Sequence, residues 1–206
     1  MNLIPISQPS ITQKEIDYVT DAVQSNWVSS FGKYIDLFEE KYAVFCGTKY
    51  ALTTSNATTA LHLSLVSLGI KSGDEVIIPD FTFVATANAV KYTGAKAKIV
   101  DIDEDTLCID KEDVKKNITS NTKAIIPVHL YGHPADMDEI SNIAEEYNLY
   151  VIEDAAEAHG AEYKGKKVGS LGTCGIFSFY GNKIITSGEG GMITTDNEIL
   201  YQKCAI

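Results

Sequence analysis

A chain of 206 residues with 45% apolar and 22% charged residues is long enough for one well-cored α/β domain or two small ones, and it should be globular. A net charge of -11, with no basic run to offset it, excludes binding along a nucleic-acid backbone. No apolar run approaches a membrane span, and Met1-Asn2-Leu3-Ile4-Pro5 lacks the basic and apolar segments of a leader, so a cytoplasmic protein with no membrane partner is expected.

Thr12-Gln13-Lys14-Glu15 has the form of a capping box, and Ile16, Val19 and Val23 recur behind it at helical spacing, which predicts a helix running to about Ser25. Asn26 to Gly32 then reads as an ordered loop that presents Trp27, with a core anchor as the competing role for that ring. Ile35, Phe38, Glu39, Tyr42 and Phe45 mark a second amphipathic helix, which ends at Gly47.

From Tyr50 onward short apolar runs alternate with helix-length stretches. The strand candidates are Tyr50 to Thr53, Glu75 to Ile78, Lys96 to Val100, Lys123 to Val128 and Leu149 to Ile152. Such alternation is the mark of right-handed βαβ crossovers and a mostly parallel central sheet flanked by helices. Glu162 to Gly169 reads as a hairpin, and Gly175 to Phe179 and Gly191 to Thr195 as further strands of the sheet. The cysteines, Cys46, Cys108, Cys174 and Cys204, form no Cys-x-x-Cys pair, which favours free buried thiols over a structural zinc or redox site.

Open parallel sheets bind ligands beyond the carboxyl ends of their strands, so the residues after each strand carry the functional reading. Thr54-Ser55-Asn56-Ala57-Thr58-Thr59 leads straight into a helix and offers N–H groups to a phosphate, or else caps the helix without a ligand. In Pro79-Asp80-Phe81-Thr82-Phe83, one ring is free to cover a flat cofactor, although core packing is the default for phenylalanine. Glu153-Asp154 pairs two carboxylates at the end of a buried strand. One of them is expected to act, by accepting a hydrogen bond from a protonated pyridine nitrogen, with capping of the next helix as the alternative. His129, His133, Asp136 and Asp138 form a conceivable metal set, but Gly132 and Pro134 make the segment a loop with no shared face, and turn chemistry is the better reading.

In Phe177-Ser178-Phe179-Tyr180-Gly181-Asn182-Lys183-Ile184-Ile185 one lysine interrupts an apolar and aromatic run, and Gly188-Glu189-Gly190-Gly191 follows. Lys183 either sits in a surface turn or has a covalent task, since a desolvated ammonium yields the neutral amine that attacks an aldehyde such as that of pyridoxal 5'-phosphate (PLP).

Taken in order, these features resemble the PLP-dependent sugar aminotransferases of the DegT/DnrJ/EryC1/StrS group, and within it the perosamine-synthase-like members. The resemblance runs from Asn26-Trp27-Val28-Ser29-Ser30 through Gly73-Asp74-Glu75-Val76-Ile77-Ile78-Pro79 to Gly188-Glu189-Gly190-Gly191. It implies the large domain of the aspartate-aminotransferase-like fold, with PLP as cofactor. By it, Lys183 forms the imine with PLP and Asp154 pairs with the pyridine nitrogen. Phe83 lies against the ring, and Thr58, Thr59 and Ser178 hold the phosphate. Glu157 departs from the pattern: relatives often carry glutamine or histidine there to bond the cofactor's 3'-oxygen, which a carboxylate would repel unless one of the two holds a proton.

The activity implied is transfer of an amino group from an amino acid, taken to be glutamate, to a nucleotide-linked keto-deoxysugar in amino-sugar or polysaccharide biosynthesis, by a homodimer with no metal. The resemblance covers the amino-terminal half of such a protein or slightly more and implies a small second domain beyond Ile206. A dehydratase on the same scaffold, which by resemblance replaces the lysine with histidine, and a non-catalytic PLP-binding protein are the alternatives.

Overall fold

Thr12 opens the first helix of the computed structural model, which describes residues 8–205; the expectation drawn from Met1 to Pro5 lies outside them. The Thr12 and Glu15 side chains satisfy each other's backbone N–H groups in the anticipated cap, and α1 (Gln13–Gln24) follows. Ile16, Val19 and Val23 share a face as the spacing requires, yet all three are exposed, and α1 buries no residue among those described. Trp27, in the loop beyond, is 47% exposed and so presents its ring instead of anchoring a core. Next, α2 (Lys33–Cys46) stops at Gly47, whose φ of 77° is the left-handed turn that glycine adopts without strain.

The alternation then begins with β1 (Tyr50–Thr54), α3 (Ala57–Ser67), β2 (Glu75–Pro79), α4 (Ala85–Tyr92), β3 (Lys96–Val100) and α5 (Lys111–Asn117). It continues with β4 (Thr122–Ile125), α6 (Met137–Tyr147) and β5 (Tyr150–Asp154). After the hairpin β6 (Glu162–Tyr163) and β7 (Lys166–Lys167) come β8 (Cys174–Ser178), β9 (Gly191–Thr195) and α7 (Glu198–Cys204). One 7-stranded sheet takes the order β1-β9-β8-β5-β4-β2-β3, in which β9 alone pairs antiparallel with its neighbours. The mostly parallel sheet is therefore present, and the hairpin stands apart as a ribbon of its own. The strand expected over Lys123 to Val128 leaves the ladder early, because Pro127 has no N–H to donate. Ile126 still donates to the Ile77 carbonyl at 2.9 Å, and Val128 rejoins β5 by a bridge to Asp154.

Strand side chains alternate between two buried layers. Val76 and Ile78 of β2 pack with Leu61, Leu65 and Val90 beneath α3 and α4, while Ile77 packs with Val114, Ile140 and Ile143 beneath α5 and α6. A third cluster joins Tyr42 of α2 to Phe177 of β8 and to Phe179 just beyond it. All four cysteines are free and buried. No helix among the described residues is long and apolar enough to cross a membrane.

The same alternation separates the two carboxylates at the end of β5. Glu153 faces away from Asp154 and is fully buried, where it accepts N–H bonds from Gly169, Leu171 and Gly172, each at 2.7 Å. His129 Nδ1 accepts the Ala135 N–H, so its other ring nitrogen carries the proton and donates to Glu153 at 3.0 Å. Glu153 thus binds the segment 169–172 and the end of β4 to the sheet. Glu153→Ala strands four donors at once, those of His129 and Gly169 buried, and should lower the unfolding free energy by about 3–5 kcal/mol in urea titration; an unchanged midpoint would refute this structural role.

Candidate active site

The carboxyl ends of β1, β2, β5 and β8 and the segments that follow them surround one cavity of about 540 Å³. Thr58, Thr59, Phe83, Asp154, Glu157, Ser178 and Lys183 all line it, so every residue to which the family resemblance gave a role reaches the same space.

At the start of α3, Asn56 accepts the Thr59 N–H at 2.9 Å and the Thr59 hydroxyl accepts the Asn56 N–H at 3.2 Å. Capping is therefore real here and occupies Thr59, whereas the Thr58 side chain takes no part in the cap. Gly191 lets β9 approach this turn, since a Cβ on it would lie 2.4 Å from the Asn56 carbonyl carbon. The result is a helix N-terminus held against the sheet with its positive end at the cavity.

Asp154 is 6% exposed. Its carboxylate accepts the Thr86 hydroxyl at 2.8 Å and the Ala156 N–H at 3.3 Å, and no described cation lies within salt-bridge distance. Burial pushes its pKa up, and the two donors offset only part of that rise. A buried acid held this way favours a ligand that brings a cationic N–H.

Lys183 lies in a backbone turn, with its N–H on the Tyr180 carbonyl at 3.0 Å, but its side chain is only 17% exposed and points inward. The chain turns here, as the first reading of the lysine has it, and the amine is nonetheless sheltered. Its Nζ meets Glu157 at 3.1 Å, while the other Glu157 oxygen accepts the Tyr131 N–H at 3.2 Å. Tyr131 adopts a φ of 51°, an uncommon conformation for a residue with a side chain and one often found at ligand sites.

Ser178 is buried at the end of β8. Its carbonyl accepts from His159 at 2.7 Å, which requires that ring nitrogen to carry the proton, and the opposite nitrogen accepts from the Tyr42 hydroxyl at 2.6 Å. Burial pushes the His159 pKa down and keeps the ring neutral. His159 thereby ties the segment bearing Asp154 and Glu157 to the strand bearing Ser178. Phe83 is 73% exposed and Phe81 44%, so neither fills a core; Phe83 borders the cavity.

Three residues of this site carried no role in the sequence reading: Thr86, Tyr131 and His159. Nothing local marks Thr86 or Tyr131, but His159 lies five residues beyond Asp154 in a stretch already under suspicion. Three residues of the conceivable metal set are otherwise engaged. His129 pairs with Glu153, Asp136 accepts from Tyr163 and Asp138 pairs with Lys164.

A sheltered lysine, a buried acid and a helix N-terminus around one cavity at the strand ends define an α/β enzyme site suited to an anionic ligand with a cationic ring. The chain belongs to the DegT/DnrJ/EryC1/StrS aminotransferase family, which matches residues 9–206. It is 52% identical over 204 residues to GDP-perosamine synthase of Escherichia coli O157:H7, covering 99% of this chain and 56% of that protein. Among solved structures it resembles an aminotransferase from Psychrobacter cryohalolentis at 45% identity and a TM-score of 0.94, with 97% and 51% of the two chains covered. It also resembles GDP-4-keto-6-deoxymannose-3-dehydratase with a trapped PLP-glutamate geminal diamine, at 33% identity and a TM-score of 0.92, covering 98% and 53%. The chain spans about half the length of the curated relatives it matches.

Proposed function

We propose that this protein is a PLP-dependent aminotransferase that moves an amino group from glutamate to a nucleotide-linked keto-deoxysugar, as a perosamine synthase does. The observation that carries the reading is Lys183 and Asp154 facing one cavity in a chain 52% identical to a GDP-perosamine synthase.

The residues present fit PLP. The α3 N-terminus, with Thr58, and the Ser178 hydroxyl offer donors to a phosphate, while Thr59 borders the same space with its own donors engaged in the cap. Asp154 offers an anion to a pyridinium N–H and Phe83 a face to the ring. Lys183 offers the amine that holds the aldehyde carbon. When bound, PLP supplies the electron sink that makes a proton on the substrate carbon acidic.

Lys183 would hold the cofactor through its amine and, when that amine is free, would move the proton as a general base. Asp154 would favour the protonated ring nitrogen by opposing its charge. Glu157, 3.1 Å from the Lys183 Nζ, would orient the free amine. Lys183 weighs against the dehydratase alternative, which is expected to carry histidine at this position.

The protein works as a cytoplasmic homodimer in this reading. Exposed Phe83, Tyr131, Tyr180 and Ile184 near the cavity are the kind of apolar surface that a second subunit covers. Incubation of the purified protein with PLP, glutamate and a nucleotide-linked keto-deoxysugar should yield 2-oxoglutarate and the aminated sugar. Release of 2-oxoglutarate in no such pairing would overturn the reading.

A further inference from the structure

We propose that Thr86 is a positioning residue for Asp154, its hydroxyl fixing the carboxylate plane so that the acid faces the cavity ready for a cationic ring nitrogen. The inference rests on the PLP reading above and extends it to a residue that never touches the cofactor.

Thr86 is fully buried in the first turn of α4, 68 positions before the acid it serves. A hydroxyl has one proton to donate, and an ionised carboxylate only accepts, so the 2.8 Å contact commits the Thr86 proton to Asp154 Oδ2. The Thr82 hydroxyl lies 3.1 Å from the Thr86 oxygen and must then be the donor of that pair. The direction is thereby set along the whole chain, from Thr82 at the cavity wall through Thr86 to Asp154. Linked donors of this kind polarise one another and strengthen the last bond.

With the Ala156 N–H on Oδ1 at 3.3 Å, the two carboxylate oxygens are held by donors from different elements, and the plane cannot rotate freely. Thr86 is also the principal group offsetting the rise in the Asp154 pKa that burial causes. The Thr86 N–H reaches the Phe83 carbonyl at 3.2 Å, so one residue ties the acid to the segment bearing the ring that borders the cavity. Loss of the hydroxyl should leave the fold in place while the acid takes up a proton or turns aside.

The test compares the parent with Thr86→Val, which keeps the shape, and Thr86→Ser, which keeps the hydroxyl. PLP affinity is read by absorbance titration, turnover at saturating PLP by the glutamate half-reaction, and packing by unfolding midpoints of the cofactor-free proteins. Thr86→Val should weaken PLP binding about tenfold, which is about 1.4 kcal/mol, and should lower turnover even at saturation. Thr86→Ser should restore both to within about twofold of the parent. Equal affinity and turnover for the parent and Thr86→Val overturns the inference alone. Equal losses in both variants, tracking their midpoints, also overturns it, by assigning Thr86 to packing. A parent that takes up no PLP overturns the function reading, and this inference with it.

Discussion

Lys183→Ala should abolish covalent retention of PLP and reduce transamination by about 10³-fold or more, because in the proposed mechanism one amine serves both as anchor and as proton carrier. The geometry makes this lysine unlike its neighbours in sequence. Its Nζ is sheltered in the cavity beside Glu157, whereas Lys164 pairs with Asp138 on the surface and Lys167 pairs with Glu162 and lies 4.9 Å from the centre of the Phe45 ring. Neither those two nor Lys166 lines the cavity. Borohydride treatment of the PLP-loaded protein followed by mass-spectrometric mapping should therefore place the label on Lys183. A label on any residue of the 164–167 hairpin would sink the assignment, whatever the activity of the alanine variant.

Asp154→Asn should separate binding from turnover. The amide keeps the size and one acceptor oxygen, so PLP should still bind through its phosphate and Lys183, while turnover should fall by about 10²-fold or more as the charge opposing the pyridinium disappears. Stability of the cofactor-free protein supplies an independent sign. Burial raises the Asp154 pKa above its ordinary value of 3.8, so the fold is favoured at low pH, and stability is lost as pH rises through the raised value. Above that raised value the cofactor-free parent carries the cost of an ionised buried acid, and the Asn variant does not. The variant should therefore unfold at a higher temperature than the parent without PLP and gain less when PLP is added. Near-parental turnover would reduce Asp154 to a structural role, holding Thr86 and the turn at Ala156, and remove the central electrostatic element of the proposed mechanism.

The elements that the sequence announced are those governed by local rules. The Thr12 and Glu15 cap, the stop at Gly47 and the βα alternation each follow from side chains within a few residues of one another, and each is present. The early end of β4 was also encoded, in Pro127, but the apolar run masked it. The hairpin at 162–167 reads from its turn residues, yet its separation from the main sheet does not, since pairing partners are chosen by the rest of the fold. Exposure was less legible still: Ile16, Val19 and Val23 have the pattern of a buried face and are not buried among the described residues.

The candidate site divides along the same line. The sequence by itself determined which residues stand at the strand ends, and its resemblance to a family supplied their expected roles, so that Thr58, Asp154, Ser178 and Lys183 were in view before any fold. Only the tertiary structure decided which of two adjacent carboxylates faces the cavity. It turned Glu153 to three backbone N–H groups and Asp154 to Thr86. It also paired Glu157 with Lys183 across 26 positions and His159 with the Ser178 carbonyl across 19. The physical reason is range. Helical period, caps and turns are set by neighbours in the chain, while hydrogen-bond partners and burial depend on how the sheet brings distant strand ends together.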